Sequence, residues 1–143
     1  AMLDLDHFKQ FNDTYGHEAG DLVLQAVSEL LRCSLRASDI ACRYGGEEFT
    51  VVMPGSSLDN ARNRLDEVRQ AIGHLRLRYQ NDELPPITVS IGIAELIDQE
   101  TDSATLLGRA DAALYQAKEQ GRNQIVVATI LRNYKMDPGI SLS

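Results

Sequence analysis

The sequence has no excess of basic residues, few cysteines and no long hydrophobic run. Of its 143 residues, 14 are lysine or arginine and 21 are aspartate or glutamate, a formal net charge of −7. A general electrostatic footprint for a nucleic-acid polymer is therefore not expected, whereas a mononucleotide needs only local positive charge. The longest apolar stretches, such as 87–94, are far too short to span a bilayer, and no leader-like segment opens the chain. We therefore expect a cytoplasmic domain without membrane contact.

The two cysteines, Cys33 and Cys42, have neither CxxC spacing nor a companion histidine cluster. Zinc binding is therefore not expected, and a disulfide bond would be unusual in a cytoplasmic protein. We predict two buried, reduced thiols. The length and the 43% hydrophobic content suit a single domain with its own core.

Hydrophobic periodicity predicts strands and helices in alternation. Short apolar or alternating runs predict strands at 2–5, 40–44, 49–53, 87–94 and 124–128. A short helical turn is expected at 8–15, and amphipathic helices that face the core at about 22–35, 58–75 and 103–120. Residues 81–86 are expected to form a loop. This order predicts an α/β fold with a largely antiparallel central sheet and helices packed on it.

The most informative motif lies between two predicted strands, where residues 43–49 read RYGGEEF. Paired glycines allow the positive backbone angles of a tight hairpin, and they let a ligand approach the main chain. Glu47 and Glu48 add hard oxygen ligands suited to magnesium that carries a nucleotide triphosphate. Taken alone, an ordinary Gly-Gly turn with solvated glutamates explains this segment equally well.

A second segment favours the functional interpretation of the hairpin over a plain turn. Residues 1–21 read AMLDLDHFKQFNDTYGHEAGD. Together with the hairpin, this run resembles the GGDEF family of diguanylate cyclases. The resemblance is in register and continues through 36–39, 87–93 and 109–123. Glu47 stands where the family name has aspartate, a variant that working cyclases of the family use.

The resemblance covers nearly the whole chain and implies its domain organisation. We expect a GGDEF domain at 1–128 with the palm-like fold of nucleotidyl cyclases, followed by a C-terminal tail at 129–143. The family's N-terminal helix and its Asp-x-Leu-Thr turn are not found in the sequence, so the domain is expected to lack its first helix.

Pairing of the first strand with the hairpin would bring the carboxylates of Asp4 and Glu47 to one edge of the sheet. The resemblance implies that Asp4, the carbonyl of Leu5, Glu47 and Glu48 hold two Mg²⁺ ions, for which Mn²⁺ can substitute. In the family, two GTP molecules face each other across a homodimer. Each 3′-hydroxyl attacks the other's α-phosphate, which releases two pyrophosphates and closes cyclic di-GMP. By resemblance, Glu47 helps deprotonate the hydroxyl, and Lys9 stabilises charge on the phosphates.

Guanine recognition is implied at Asn12 and Asp21. A carboxylate accepts hydrogen bonds from the N1 and N2 donors of guanine, a pair that adenine lacks, and an amide can serve the other edge. Asp21 has an alternative role near the dipole at a helix start. His17 either lines this pocket or has a structural role in its turn.

The remaining implied contacts are to phosphates and to the product. The residues expected at the substrate phosphates are Gly45, Gly46, Lys118 and Arg122. The two basic side chains, spaced at i and i+4, can reach one phosphate group together, and a solvated basic helix end is the alternative. Arg36 and Asp39 form an Arg-x-x-Asp pair, which in the family binds cyclic di-GMP as an inhibitor.

The resemblance therefore predicts an active diguanylate cyclase that is linked to an upstream sensor or regulatory domain. The alternative is a non-catalytic receptor for cyclic di-GMP or GTP that keeps the fold and the Arg36 and Asp39 pair. The intact run at 45–49 argues against a receptor, since such receptors usually carry a damaged signature. A purely structural dimerisation domain would leave the acidic residues unexplained.

Overall fold

The structure, a computed structural model, describes residues 1–98 and 102–130. Its elements, in chain order, are β1 (Met2–Leu5), α1 (Phe8–Tyr15), α2 (His17–Ser34), β2 (Ile40–Gly45), β3 (Glu48–Val52), α3 (Leu58–Gly73), β4 (Arg78–Tyr79), β5 (Asp82–Glu83), β6 (Val89–Ile93), α4 (Ser103–Glu119) and β7 (Ile125–Val127). Within these described ranges, no helix has both the length and the apolar character that crossing a membrane requires.

Five strands form the central sheet in the order β2-β3-β1-β6-β7. All neighbouring pairs are antiparallel except β6 and β7, which are parallel. The predicted α/β fold with a largely antiparallel sheet is therefore confirmed. Because β1 is the central strand, the residues at its end lie between the hairpin on one side and β6 on the other.

Helices cover both faces of this sheet. Side chains alternate along a strand, so Leu3 and Leu5 face one layer while Met2 faces the other. The first layer contains α2 and α3, whose buried side chains include Val27 and Leu65. The second layer contains α4, with Ala110 and Leu114 packed against Met2. The apolar stripe of α3 is thus core, as the sequence predicted, and Ser57 caps this helix by accepting a hydrogen bond from Asn60.

Helix α4 lies very close to the sheet at Gly92. A Cβ atom at this position would overlap the backbone carbonyl of Ala110 and the backbone nitrogen of Leu114. Strand β6 is buried along its whole length, because α3 and α4 both pack against it. This close approach sets the position of α4 over β1 and so the position of Lys118 near the end of the helix.

Three predictions of local structure need correction or fall outside the described residues. The loop predicted at 81–86 contains β5, which pairs with β4 in a hairpin whose turn residues Gln80 and Asn81 have φ of 49° and 67°. Both cysteines are free, but they are exposed rather than buried. Cys33 lies beside the exposed Arg32–Glu29 ion pair, and Cys42 lies on the edge strand β2, all of which is exposed. Of the predicted tail, residues 131–143 lie outside the described residues.

Candidate active site

The hairpin formed by β2 and β3 has an open tip. The register shifts between Arg43 and Gly45, and Gly46 has a φ of 30°. The Nε of Arg43 donates to the carbonyl of Gly46 at 2.8 Å, which closes the turn. A Cβ atom at Gly45 or Gly46 would have no other atom within 4 Å. The main chain of the tip is therefore accessible to a ligand, as the motif predicted.

Strand pairing brings the acidic residues of the motif to the end of β1. Asp4 lies opposite Glu48 in the antiparallel register of β1 and β3. The backbone nitrogen of Leu5 donates to the carbonyl of Glu47 at 3.3 Å. The expected meeting of the first strand and the hairpin tip is therefore observed.

A pocket of about 260 Å³ opens at this edge of the sheet. It contains residues from β1, α1, the hairpin and the end of α4. The predicted site residues among its lining are Asp4, Leu5, Lys9, Glu47, Lys118 and Arg122. Three cationic side chains thus share one pocket with the carboxylates of Asp4, Asp6 and Glu47. This arrangement can bind phosphate groups and a metal ion at the same time.

Asp4 is the most buried of the carboxylates proposed as metal ligands, with 5% of its surface exposed. Burial raises the pKa of its carboxyl, although Lys118 donates a hydrogen bond from Nζ to Oδ2 at 2.8 Å and opposes the change. Repulsion from Glu47 and Asp6 raises this pKa further. Burial likewise raises the pKa of Glu48, and the charge of Asp4 adds to the effect. Negative charge is therefore costly here, and a bound cation would stabilise it.

The donor set fits a magnesium ion that arrives with a nucleotide. Among the described residues, no three histidine, cysteine, aspartate or glutamate side chains form a group that could hold a metal ion. Magnesium usually takes one or two carboxylates from the protein and completes its octahedron with phosphate oxygens and water. The desolvated carboxylates of Asp4 and Glu48 meet that requirement, and the carboxylate of Glu47 lies beside Asp4 and repels it.

The predicted guanine-binding residues lie outside this pocket, on α1 and at the start of α2. The side chain of Asn12 packs over Gly20, where a Cβ atom would overlap its Oδ1. This Oδ1 is buried and has no hydrogen-bond partner within the described part of the chain. Asp21 follows Gly20 and shares a groove of about 650 Å³ with Arg43 of the hairpin, while His17 is exposed. Sequence reasoning missed Gly20, because the helix was predicted to begin at about residue 22, whereas α2 begins at His17.

Arg36 and Asp39 are brought together, but away from the acidic pocket. The carboxylate of Asp39 accepts hydrogen bonds from the backbone nitrogen of Arg36 at 2.9 Å and from its Nη2 at 3.1 Å. Desolvation acts to raise the pKa of Asp39, but the hydrogen bonds and charge of Arg36 outweigh it, so this pKa is lowered. Arg36 also donates to the carbonyl of Pro54 and lines a separate pocket with Arg64 of α3.

One buried acid that lines the pocket, Asp6, was assigned no role from the sequence. Asp6 is 5% exposed and accepts hydrogen bonds from Thr88, Ser90 and the backbone of Asn123. The available signal was the pair of hydroxyl residues in a run that is otherwise apolar. A pattern of that kind does not identify its partner, because the partner is more than 80 residues away.

The fold and the pocket define an α/β class of domain with a largely antiparallel sheet and a pocket of mixed charge at one edge. Residues 1–124 match the family described as "Diguanylate cyclase, GGDEF domain", and the chain therefore belongs to that family. The resemblance inferred from residues 1–21 and 43–49 is confirmed. The predicted domain range of 1–128 and the lack of the family's first helix stay predictions.

Relatives and solved structures agree with this family. The chain is 44% identical over 128 residues to diguanylate cyclase DgcP of Pseudomonas aeruginosa, covering 90% of this chain and 19% of that protein. The GGDEF domain of DgcB from Caulobacter crescentus, in complex with c-di-GMP, is 40% identical with a TM-score of 0.85, covering 89% of this chain and 75% of that chain. The active GGEEF domain of a Vibrio cholerae diguanylate cyclase is 31% identical with a TM-score of 0.82, covering 90% of this chain and 81% of that chain.

Proposed function

We propose that this chain is the catalytic domain of a diguanylate cyclase, which condenses two GTP molecules into cyclic di-GMP and releases two pyrophosphates. The observation that carries this proposal is the pocket in which Asp4 and Glu47 lie with Lys9, Lys118 and Arg122 beside an open hairpin tip. Because the chain spans only about a fifth of the relative DgcP, we propose that an upstream sensor or regulatory domain controls it.

Asp4, the carbonyl of Leu5, Glu47 and Glu48 would hold two Mg²⁺ ions, which Mn²⁺ can replace. When bound, the ions would neutralise phosphate charge and polarise the attacking hydroxyl. The GGEEF form of the signature supports this assignment, since a glutamate at position 47 keeps the carboxylate that the family name gives as aspartate. The raised pKa values of Asp4 and Glu48 support it too, because both carboxylates lack sufficient compensating charge.

The chain's own residues would bind and orient the substrate. Glu47 is partly exposed at the pocket and would accept the proton of the 3′-hydroxyl. Lys9, Lys118 and Arg122 would bind the phosphates, and Lys118 would exchange its contact with Asp4 for one with the nucleotide. Gly45 would leave the backbone of the tip open to the phosphates.

Guanine would be recognised between α1 and the start of α2. Asn12 and Asp21 supply an amide and a carboxylate there, and the unpartnered, buried Oδ1 of Asn12 supports a polar ligand at this position. His17 is an exposed neighbour that would line the same pocket. The groove shared by Asp21 and Arg43 would connect the base to the hairpin.

Two copies of the domain would be needed for one turnover. Each site would hold one GTP, and both new bonds form between two nucleotides, so the sites must face each other in a homodimer. The product would bind as an inhibitor at Arg36 and Asp39, where an arginine fork suits phosphate and guanine. A separate regulatory site is supported because Arg36 lines a pocket other than the acidic one.

The decisive experiment incubates the protein with GTP and Mg²⁺ and measures pyrophosphate and cyclic di-GMP, with ATP as the control nucleotide. We expect two pyrophosphates for each cyclic di-GMP and no cyclic product from ATP. Specific activity should rise with protein concentration over the range in which the protein is monomeric. Tight binding of cyclic di-GMP or GTP without turnover would instead identify a receptor domain.

A further inference from the structure

The buried carboxylate of Asp6 connects three segments around the acidic pocket. Its Oδ1 accepts a hydrogen bond from the hydroxyl of Ser90 at 2.6 Å. Its Oδ2 accepts from the hydroxyl of Thr88 at 2.7 Å and from the backbone nitrogen of Asn123 at 3.0 Å. Asp6 thus ties the end of β1 to β6 and to the turn between α4 and β7.

That turn carries Arg122 into the pocket in an unfavourable backbone conformation. Arg122 and Asn123 have φ of 62° and 46°, in the left-handed region that is sterically unfavourable for residues with a side chain. Such a conformation persists only when the surrounding contacts determine it. The turn therefore needs hydrogen bonds beyond its own, and Asp6 supplies one of them.

Further hydrogen bonds from α3 and α4 hold the same turn. The Nη1 of Arg69 in α3 donates to the backbone carbonyl of Asn123 at 3.3 Å and to its Oδ1 at 2.9 Å. The backbone nitrogen of Arg122 donates to the carbonyl of Ala117 at 2.9 Å, which joins the turn to the end of α4. Asn123 is therefore hydrogen-bonded through its backbone nitrogen, its backbone carbonyl and its Oδ1. These contacts restrict the backbone of Arg122, the residue before it.

The same contacts separate the role of Asp6 from that of Asp4. Both aspartates are buried near the pocket, but the carboxylate of Asp6 already accepts three short hydrogen bonds. To coordinate a metal ion, it would have to release hydroxyl or backbone donors into a buried space, which is costly. The contacts of Asp6 instead lead to the turn that bears a proposed phosphate ligand.

We propose that Asp6 is a positioning residue, whose carboxylate holds the turn at 121–123 so that Arg122 is presented to the nucleotide phosphates. This inference rests on the proposed function, because it assumes that Arg122 binds the substrate. It predicts that the energetic effect of Asp6 on nucleotide binding passes through Arg122. A residue that only stabilised the fold would act independently of Arg122.

The test is a double-mutant cycle on the binding of a non-hydrolysable GTP analogue with Mg²⁺, measured by calorimetry. Asp6→Asn keeps the side-chain shape but cannot satisfy all three donors, and we expect binding to weaken about tenfold. Arg122→Ala should weaken binding at least as much. The variant with both changes should bind no more weakly than Arg122→Ala alone, because coupled residues are not additive.

Two further variants separate positioning from general destabilisation. Thr88→Val removes one hydroxyl donor to Asp6 but leaves the bond to Asn123, so it should lower the unfolding temperature and change affinity less than twofold. Asn123→Gly tolerates the positive φ and keeps the backbone contacts of the turn, but it loses the hydrogen bond between Arg69 and the Asn123 side chain. It should therefore weaken binding, again without adding to the effect of Arg122→Ala. It therefore tests the turn even if Asp6→Asn does not fold.

The outcomes distinguish this inference from the proposed function. Three results would overturn the positioning role. The first is that the losses of affinity add in the double variant. The others are parental affinity in both Asp6→Asn and Asn123→Gly, or a loss of affinity in Thr88→Val as large as that in Asp6→Asn. If the parent protein itself does not bind the analogue, the proposed function is wrong, and the role of Asp6 is wrong with it.

Discussion

Three acidic residues near one pocket have different surroundings, and their surroundings indicate different roles. Asp6 is satisfied by three hydrogen-bond donors. Asp4 is buried with an ion pair to Lys118 that does not offset the cost of its burial. Glu47 lies at the open hairpin tip, where a substrate can reach it. Residue type alone does not distinguish these roles, whereas hydrogen-bond partners and burial do.

Glu47→Gln should abolish turnover while leaving the fold intact. The change removes a proposed metal ligand and the proposed base but preserves the size of the side chain. We expect the rate of cyclic di-GMP formation to fall by about 100-fold or more, with little change in the circular dichroism spectrum. Glu95→Gln is the matched control, because Glu95 is exposed and does not line the pocket, and it should keep parental activity. A near-parental rate in Glu47→Gln would show that the metal and base assignment is wrong.

Asp4→Asn should inactivate the enzyme and stabilise its metal-free fold at neutral pH. The pKa of Asp4 is raised above its ordinary value of 3.8, mainly by burial, so the ionised form costs folding free energy. This cost is absent below pH 3.8, where the carboxyl is protonated in both states. It appears as the pH rises through the raised folded-state pKa, so the contribution of Asp4 to stability falls over that window.

The measurement is urea unfolding of parent and variant at pH 4 and pH 7 without divalent ions. The stability advantage of Asp4→Asn should be larger at pH 7 than at pH 4. A variant less stable than the parent at pH 7 would mean that the ion pair with Lys118 outweighs the cost of burial.

At the scale of elements, the geometry of the pocket depends on how closely α4 approaches the sheet. The contact at Gly92 brings the helix backbone against β6, and the end of the same helix carries Lys118 to Asp4. The hairpin and the end of β1 supply the carboxylates, while α1, α4 and the turn after α4 supply the cations. A change in the spacing between helix and sheet should therefore affect both stability and activity.

Gly92→Ala should destabilise the domain by about 3 kcal/mol, because its Cβ atom would overlap backbone atoms that have no rotamer to change. Gly108→Ala, at an exposed position of α4, is the matched control. No atom lies within 4 Å of the Cβ atom it would add, so it should stabilise the helix by roughly 0.5–1 kcal/mol. Urea unfolding checks both values. Equal stabilities for the two variants would show that the close approach at Gly92 is not required.

At the scale of the whole molecule, the proposed activity needs two copies of the domain, and the proposed inhibition acts on that dimer. Arg36 and Asp39 lie where the chain leaves α2 and enters β2, and this hairpin carries Glu47 at its tip. A product bound there could hold two domains in an unproductive arrangement. Binding would be reciprocal, so a product that lowers affinity for GTP must itself be weakened by GTP.

Arg36→Ala should keep the initial rate but no longer slow as cyclic di-GMP accumulates. The change removes the planar donor fork of a partly exposed ion pair, so the free energy of unfolding should fall by about 1 kcal/mol or less. Progress curves with and without added product measure the effect. Arg76→Ala, which removes the exposed ion pair with Glu83, is the control and should remain inhibited. Unchanged inhibition in Arg36→Ala would show that the product acts elsewhere.

Local chemistry was sufficient to predict most elements and the candidate site. The glycines and glutamates at 45–48 predicted the hairpin, Ser57 predicted a helix start, and the run at 1–21 identified the family. Each of these signals lies within a short segment, so a turn, a cap or a motif can be recognised without knowledge of distant residues. The meeting of Asp4 with the hairpin followed from the expected pairing of adjacent strands.

Other features depended on contacts between residues far apart in the chain. The role of Asp6 required Thr88, Ser90 and Asn123 to converge on one carboxylate. The exposure of Cys33 and Cys42 depended on which helix face is solvated and which strand is at the edge. A side chain's burial and hydrogen bonds are properties of the packed assembly, and packing is set by all elements together. For that reason sequence patterns predicted the candidate reacting groups, whereas only the folded chain showed the burial and the hydrogen bonds around them.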